Sequence, residues 1–135
     1  MGEGDSSRLK GRCLCGAVAF AIGGPRATPV ACHCTMCRRQ SGHYWVSTNV
    51  AEADLSIEGS DRLVWYRSSD IAERGFCGTC GSALFWRRPG SGRVAVAMGS
   101  LETPTGLTIG RHIFIAEKGD YYAIEDGAEL YAGDD

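Results

Sequence analysis

Seven cysteines in a chain of 135 residues carry the chemistry that is legible first, and they fall into three groups. These are Cys13-Leu14-Cys15, then Cys32-His33-Cys34-Thr35-Met36-Cys37, then Cys77-Gly78-Thr79-Cys80. Zinc is borderline soft and tetrahedral, so it favours thiolates that the chain brings close together, and a Cys-x2-Cys turn lets two sulfurs reach one ion. Cys77 and Cys80 suit such a turn, with Gly78 and Gly81 free to take positive φ and to let amides approach the sulfurs. A closed site needs two more ligands. Cys13 and Cys15, flanked by Gly11 and Gly16, complete it if their strand bends or bulges, because alternate residues of a regular strand face opposite ways.

Cys32, Cys34 and Cys37 remain, three thiolates within six residues and one ligand short of a closed tetrahedron. An open position is what a catalytic zinc site keeps. Two other readings stay open: a structural site closed by His33 or another side chain, and a trio of buried free cysteines. An odd cysteine count without a secretory signal argues against a disulfide framework. His33, between two of the cysteines, suits a supporting role behind the metal as well as it suits ligation. His43 carries less signal, and His112 in Arg111-His112-Ile113-Phe114-Ile115 reads as a hydrogen-bonded structural histidine. Arg38 and Arg39 follow the cluster directly. They could offset its negative charge or pair with substrate carboxylates, and they could equally be ordinary surface charge.

The elements that must position these groups are mostly strands. Nineteen glycines punctuate short stretches of alternating hydrophobicity, the pattern of many strands joined by tight turns. Val18, Phe20 and Ile22 alternate with small residues, as do Val94, Val96 and Met98 within 93–99, so each stretch should turn one apolar face inward. Further strands are expected at 44–48, 55–57, 63–66, 82–86 and 112–116. The best place for a helical turn is 35–40, inside the second cysteine group and ended by Ser41-Gly42. Trp45, Trp65, Phe85 and Trp86 read as core aromatics, and Met36 as filler.

Length predicts a single domain over 1–135, with a polar start at 1–10, large enough for a core yet small enough to gain from a metal staple. The 44% hydrophobic content and net charge of −2 describe a soluble globular protein. Seven bound thiolates against two divalent ions would make the charge more negative, so nucleic acid is not an expected partner. No apolar run reaches membrane-spanning length, and the start is too polar for a signal peptide, which together predict a cytoplasmic protein. Met1-Gly2 with Ser6 formally fits a myristoylation pattern, but the flanking Glu3 and Asp5 read as a solvated start.

Gly11-Arg12-Cys13-Leu14-Cys15-Gly16, then 32–39 with Ser41-Gly42, then Phe76-Cys77-Gly78-Thr79-Cys80-Gly81-Ser82 resemble the glutathione-dependent formaldehyde-activating enzyme family, which also includes centromere protein V. The likeness runs on through Met98-Gly99-Ser100-Leu101 and His112-Ile113-Phe114, about 11–122 in all. It implies a β-tent fold of stacked antiparallel sheets, structural zinc on Cys13, Cys15, Cys77 and Cys80, and catalytic zinc on Cys32, Cys34 and Cys37. The chain departs from its relatives after Lys118, where Asp120-Tyr121-Tyr122 stands in place of a frequent tryptophan and gives the loop a different pocket to shape.

The resemblance implies a carbon–sulfur lyase that joins glutathione, or another small thiol, to formaldehyde as in S-hydroxymethylglutathione formation. The metal would hold and ionise the thiol, and Arg38 or Arg39 would steer its carboxylates. A second reading is a zinc-stabilised binding module whose three-cysteine site is structural. A third, a hydrolase using zinc-bound hydroxide, is disfavoured because three thiolates reduce the metal's acidity toward water and no carboxylate base is evident beside the cluster.

Overall fold

The computed structural model describes residues 8–134; Met1, Gly2 and Ser6 of the N-terminal pattern lie outside them. In chain order the strands are β1 (Leu9–Arg12), β2 (Ala19–Ile22), β3 (Val30–Cys32), β4 (Trp45–Ala51), β5 (Leu55–Glu58), β6 (Leu63–Arg67), β7 (Glu73–Cys77), β8 (Ala83–Arg87), β9 (Arg93–Ala97), β10 (Arg111–Ile113) and β11 (Glu129–Leu130). One helix, α1 (Thr35–Ser41), lies between β3 and β4. The protein is mainly β. A three-stranded antiparallel sheet runs β1-β2-β5, and an eight-stranded sheet runs β11-β10-β3-β4-β9-β8-β7-β6. No helix is long and apolar enough to cross a membrane among the described residues.

The structure differs from the expectation in several places; β1, for one, is not among the expected strands. The large sheet is antiparallel from β3 to β6 but parallel where β10 joins β3 and β11, pairings that only long connections allow. The stretch expected as a strand at 112–116 stops at Ile113, because Phe114 takes a left-handed conformation at φ 56° and a single helical turn follows at Ile115–Glu117.

Residues opposite one another on paired strands share a face, so the register divides the large sheet cleanly. Trp65, Gly75, Phe85, Val96 and Thr48 lie in line on one face. Tyr66, Arg74, Trp86, Ala95 and Asn49 lie in line on the other. The first face packs on the small sheet: Phe85, Val94, Val96 and Val50 meet Val18, Phe20 and Ile22 in the main core. Phe20 and Phe85 touch edge to face with centroids 5.2 Å apart, and burying each such side chain contributes about 1.5–3 kcal/mol.

The second face carries a smaller cluster of Trp45, Ala95, Ala97 and Cys37, with Cys32, Cys34 and Trp86 against it. Hence β9 is buried on both faces from Val94 to Ala97, not on the single face its alternation predicts. Its valines serve the main core, and its alanines leave room beside Cys37. The site depends on β7, whose composition Glu-Arg-Gly-Phe-Cys does not read as a strand. Gly75 lets the Trp65 ring lie close over the strand, since a Cβ there would stand 3.1 Å from that ring.

Candidate metal centres

Each pair of the first sulfur set sits in its own tight turn. After β1, the chain folds so that the Gly16 N–H reaches the Cys13 carbonyl at 3.2 Å. After β7, the Gly81 N–H reaches the Cys77 carbonyl at 2.8 Å. Gly16 and Gly81 both stand at positive φ, 82° and 84°, where a side chain would be strained. Gly78 serves by closeness instead, since a Cβ there would meet Val64 at 2.9 Å. The expected bend is thus a turn beyond the end of β1, and Leu14 stands at its tip, 81% exposed.

The turns bring Cys13, Cys15, Cys77 and Cys80 together with all four Sγ atoms within 4.8 Å of one another. Cys13 and Cys15 sulfurs stand 3.7 Å apart, and Cys15 and Cys77 sulfurs 3.8 Å. Four sulfurs about 2.3 Å from a central zinc would stand about 3.8 Å apart, so these two contacts match the edge of a zinc tetrahedron. Backbone amides complete the cradle. Val18 donates to Cys13 Sγ at 3.3 Å, while Thr79 and Cys80 each donate to Cys77 Sγ at 3.4 Å. Ser82 ties the turns to each other: its Oγ accepts the Leu14 N–H at 3.0 Å and contacts Cys80 Sγ at 3.3 Å. That hydroxyl, with amides behind it, draws Cys80 down to about 5.

The second set stands on the opposite face of the large sheet. Cys32 ends β3, Cys34 caps the N-terminus of α1, and Cys37 is buried in its first turn. Cys37 N–H donates to Cys34 Sγ at 3.3 Å, and Gly42 ends the helix at φ 93° with its N–H on the Arg38 carbonyl. The three Sγ atoms lie within 4.8 Å of one another, and no fourth His, Cys, Asp or Glu joins them among the described residues. Sulfurs this close divide their protons unequally. Hydrogen bonds from Cys32 and then Cys37 pull Cys34 down to about 2, while its two neighbours push Cys32 up. A divalent cation would displace the remaining protons, which is the behaviour of a thiolate metal site.

His33 does not close this set. It is fully buried (0% exposed), Nδ1 meets the Tyr122 hydroxyl, and Nε2 meets His112 Nδ1 at 2.8 Å. His112, 1% exposed, in turn reaches Asp126 Oδ2 through Nε2 at 2.8 Å. Because the carboxylate can only accept, the arrangement without a charged ring runs one way: Tyr122 O–H to His33, His33 N–H to His112, His112 N–H to Asp126. Burial, then the charges of His112, His43 and Lys118, hold His33 down at about 4. Both His33 nitrogens are therefore committed behind the loop, the supporting role the sequence allowed. His112 is the hydrogen-bonded structural histidine expected of it. The Tyr121-Tyr122 departure closes the other side: Tyr121 OH meets His43 Nδ1 at 2.6 Å, the rings of Tyr44 and Tyr122 pack on His33, and His43 packs on those two tyrosines.

Arg38 is half-buried and gives Nη1 to the Glu117 carbonyl at 3.0 Å, while the Glu117 carboxylate accepts the Thr35 N–H at 2.9 Å. Arg39 is exposed at the end of α1, and Met36 is exposed rather than filling a core gap. Trp45 and Trp86, read as core aromatics, pack beside the three-cysteine set. Sequence reasoning missed Arg74, the cation nearest these sulfurs. It is 4% exposed, donates from Nη1 to Cys37 Sγ at 3.5 Å, and leaves Nε buried with no partner. An unmet buried donor costs about 1–3 kcal/mol.

Fold and sulfur geometry together define a stacked-sheet β protein with two cysteine clusters able to hold metal ions. Residues 8–117 match the family described as glutathione-dependent formaldehyde-activating enzyme, and the chain belongs to that family. It is 34% identical over 85 residues, 57% of its own length, to a Halomonas elongata protein named "Putative glutathione-dependent formaldehyde-activating enzyme". The matched stretch spans about half that relative, 54% of its length. A Rhodobacter sphaeroides protein of known crystal structure shares the fold at a TM-score of 0.61 and 23% identity, over 90% of this chain and 98% of that one.

Proposed function

We propose that the protein is a zinc-dependent carbon–sulfur lyase that reversibly joins a small thiol, glutathione in the first instance, to formaldehyde. The observation that carries this reading is the set Cys32, Cys34 and Cys37, three converging sulfurs with no fourth protein ligand among the described residues and a buried cation against one of them. Family membership supplies the substrate pair. Zinc held there would supply Lewis acidity and one exchangeable coordination position for a sulfur ligand. The second zinc, on Cys13, Cys15, Cys77 and Cys80, would be structural. The overall reaction adds the thiol R–SH across the carbonyl of formaldehyde to give R–S–CH2–OH, with no redox change.

The chain's own contributions follow from the geometry. The His33, His112 and Asp126 chain fixes the loop between Cys32 and Cys34 so that the sulfurs converge without a ring nitrogen among them. Trp45, Trp86 and Ala97 exclude water from the inner side. Arg39, and Arg38 with the donors left after Glu117 takes Nη1, would pair with the thiol's carboxylates at the outer rim. We further read 1–135 as one cytoplasmic domain acting on small molecules. The test is exchange NMR of thiol and formaldehyde with their adduct, measured above the spontaneous rate. Wild-type protein should accelerate exchange and Cys37→Ser should not; full activity in Cys37→Ser would sink the reading.

A further inference from the structure

β7 places Arg74 opposite Tyr66 on β6 and Trp86 on β8, on the face that carries Cys32, Cys34 and Cys37. A guanidinium this deeply buried ordinarily faces a carboxylate. The neighbouring Glu73 is not available, because alternation turns it to the other face, where it binds Arg87 at 2.7 Å. No carboxylate pairs with Arg74 among the described residues. Among the described residues its side chain's one hydrogen-bond partner is Cys37 Sγ at 3.5 Å, and its buried Nε–H has none. The guanidinium is rigid and planar and keeps its proton in proteins, so the free arm is a permanently charged, unpartnered donor on a side chain already in contact with Cys37.

The reaction proposed above makes an anionic acceptor for it. When a thiolate sulfur attacks formaldehyde, a sulfur lone pair forms the carbon–sulfur bond and the carbonyl π pair moves to oxygen, giving R–S–CH2–O−. The proton lost when the thiol ionised returns from solvent to that oxygen, which closes the balance as R–S–CH2–OH. Resting on that reading, we propose that Arg74 is a catalytic residue whose Nε–H binds the oxyanion formed on the aldehyde while Nη1 stays on Cys37. The oxygen lies two bonds from a sulfur docked at the cluster, and it is the atom whose charge grows during the step. A fixed donor on a side chain only 4% exposed acts most strongly on such a charge and little on the neutral aldehyde. Arg74 therefore raises the rate without tightening thiol binding.

The experiment compares wild type, Arg74→Lys and Arg74→Gln, each assayed for metal content, for glutathione dissociation constant by calorimetry without aldehyde, and for kcat and KM toward formaldehyde by exchange NMR. Lysine keeps the charge but not the planar second arm; glutamine is neutral and serves if the lysine variant folds poorly. The expected result is unchanged metal content, a thiol constant within about threefold of wild type, and kcat lower by about 10²–10³-fold with KM little changed. A kcat within threefold of wild type in both variants would overturn the assignment, as would a rate loss matched by equal loss of thiol affinity or of metal. The order of reading separates this from failure of the function itself. Wild-type protein that binds thiol yet never exceeds the spontaneous exchange rate sinks both, whereas an active wild type with fully active variants sinks only Arg74.

Discussion

The two cysteine sets lie on opposite faces of one sheet and are built in opposite ways. The four-membered set joins turns 62 residues apart in sequence, and Cys13 and Cys77 sit in the same buried cluster as Phe20, Phe85 and Val96. Its sulfurs are tied by backbone amides and Ser82, and its set is complete. The three-membered set comes from one short loop and one turn of α1, rests on alanines and tryptophans, and has a buried cation and a histidine chain behind it. Loop-closure entropy explains the first design: a crosslink between distant segments restrains far more of the unfolded chain than one spanning six residues. Electrostatics distinguishes the second, since a buried permanent charge in contact with a set of three sulfurs acts on any charge that forms there.

The largest expected effect tests the structural half of that contrast. Structural zinc binding is itself folding free energy, about 10–16 kcal/mol in small zinc modules, so Cys77→Ser should be unfolded or insoluble by circular dichroism and yield. Cys37→Ser should stay folded and retain one metal by native mass spectrometry, because the other set still joins the two sheets. Equal thermal stability of these variants would break the comparison.

A smaller effect probes the histidine chain behind the open set. His33 is depressed from 6.5 to about 4 by burial first and by its charged neighbours second. The unfolded chain therefore binds a proton that the folded one refuses between those two values. The resulting stability is fully present above pH 6.5, declines as pH falls toward 4, and changes no further below it, about 3 kcal/mol in total. Urea midpoints of wild type should fall across that window more steeply than those of His33→Gln. Both proteins keep the same cysteines, so acid loss of metal enters both curves and only the difference in slope is read. Parallel curves would mean that the ring is not held neutral by its surroundings.

Breaking that chain from its other end sharpens the same point. His112→Leu leaves the His33 N–H without an acceptor inside the protein, which should cost about 1–3 kcal/mol. Stability measured in denaturant should fall by that amount while the four-cysteine set keeps its metal.

What the sequence made legible was local. The division of the cysteines into two sulfur sets followed from counting because they were grouped along the chain, and the helical turn followed from Ser41-Gly42 at its end. Strands with alternating β-branched or aromatic residues were found, whereas β1, β3, β7 and β11 were too short or too poor in such residues to register. What remained hidden depended on partners supplied by topology. Arg74 reads as surface charge until β7 is seen between Tyr66 and Trp86, and His33 gains its role only because β10 lies parallel beside β3 and brings His112 to it. Tyr121-Tyr122 was visible as a departure, but its packing on His43 and His33 was not.

The smallest effects separate what ties the closed set from what merely spaces it. Ser82→Ala removes the acceptor of the Leu14 N–H and the hydroxyl beside Cys80, which should lower stability by about 1 kcal/mol and speed zinc transfer to a competing chelator. Leu14→Ser changes the residue between Cys13 and Cys15 yet should do almost nothing, within about 0.5 kcal/mol, because its side chain is 81% exposed and only its backbone is engaged, the N–H by Ser82 and the carbonyl by Arg12. The same chelator assay reads both variants. Faster zinc loss from Leu14→Ser than from Ser82→Ala would place the restraint in the tip of the turn and not in the hydroxyl that joins the two turns. The expected order is the reverse, because an exposed side chain without contacts transmits nothing to the sulfurs, whereas Ser82 touches both halves of the cradle.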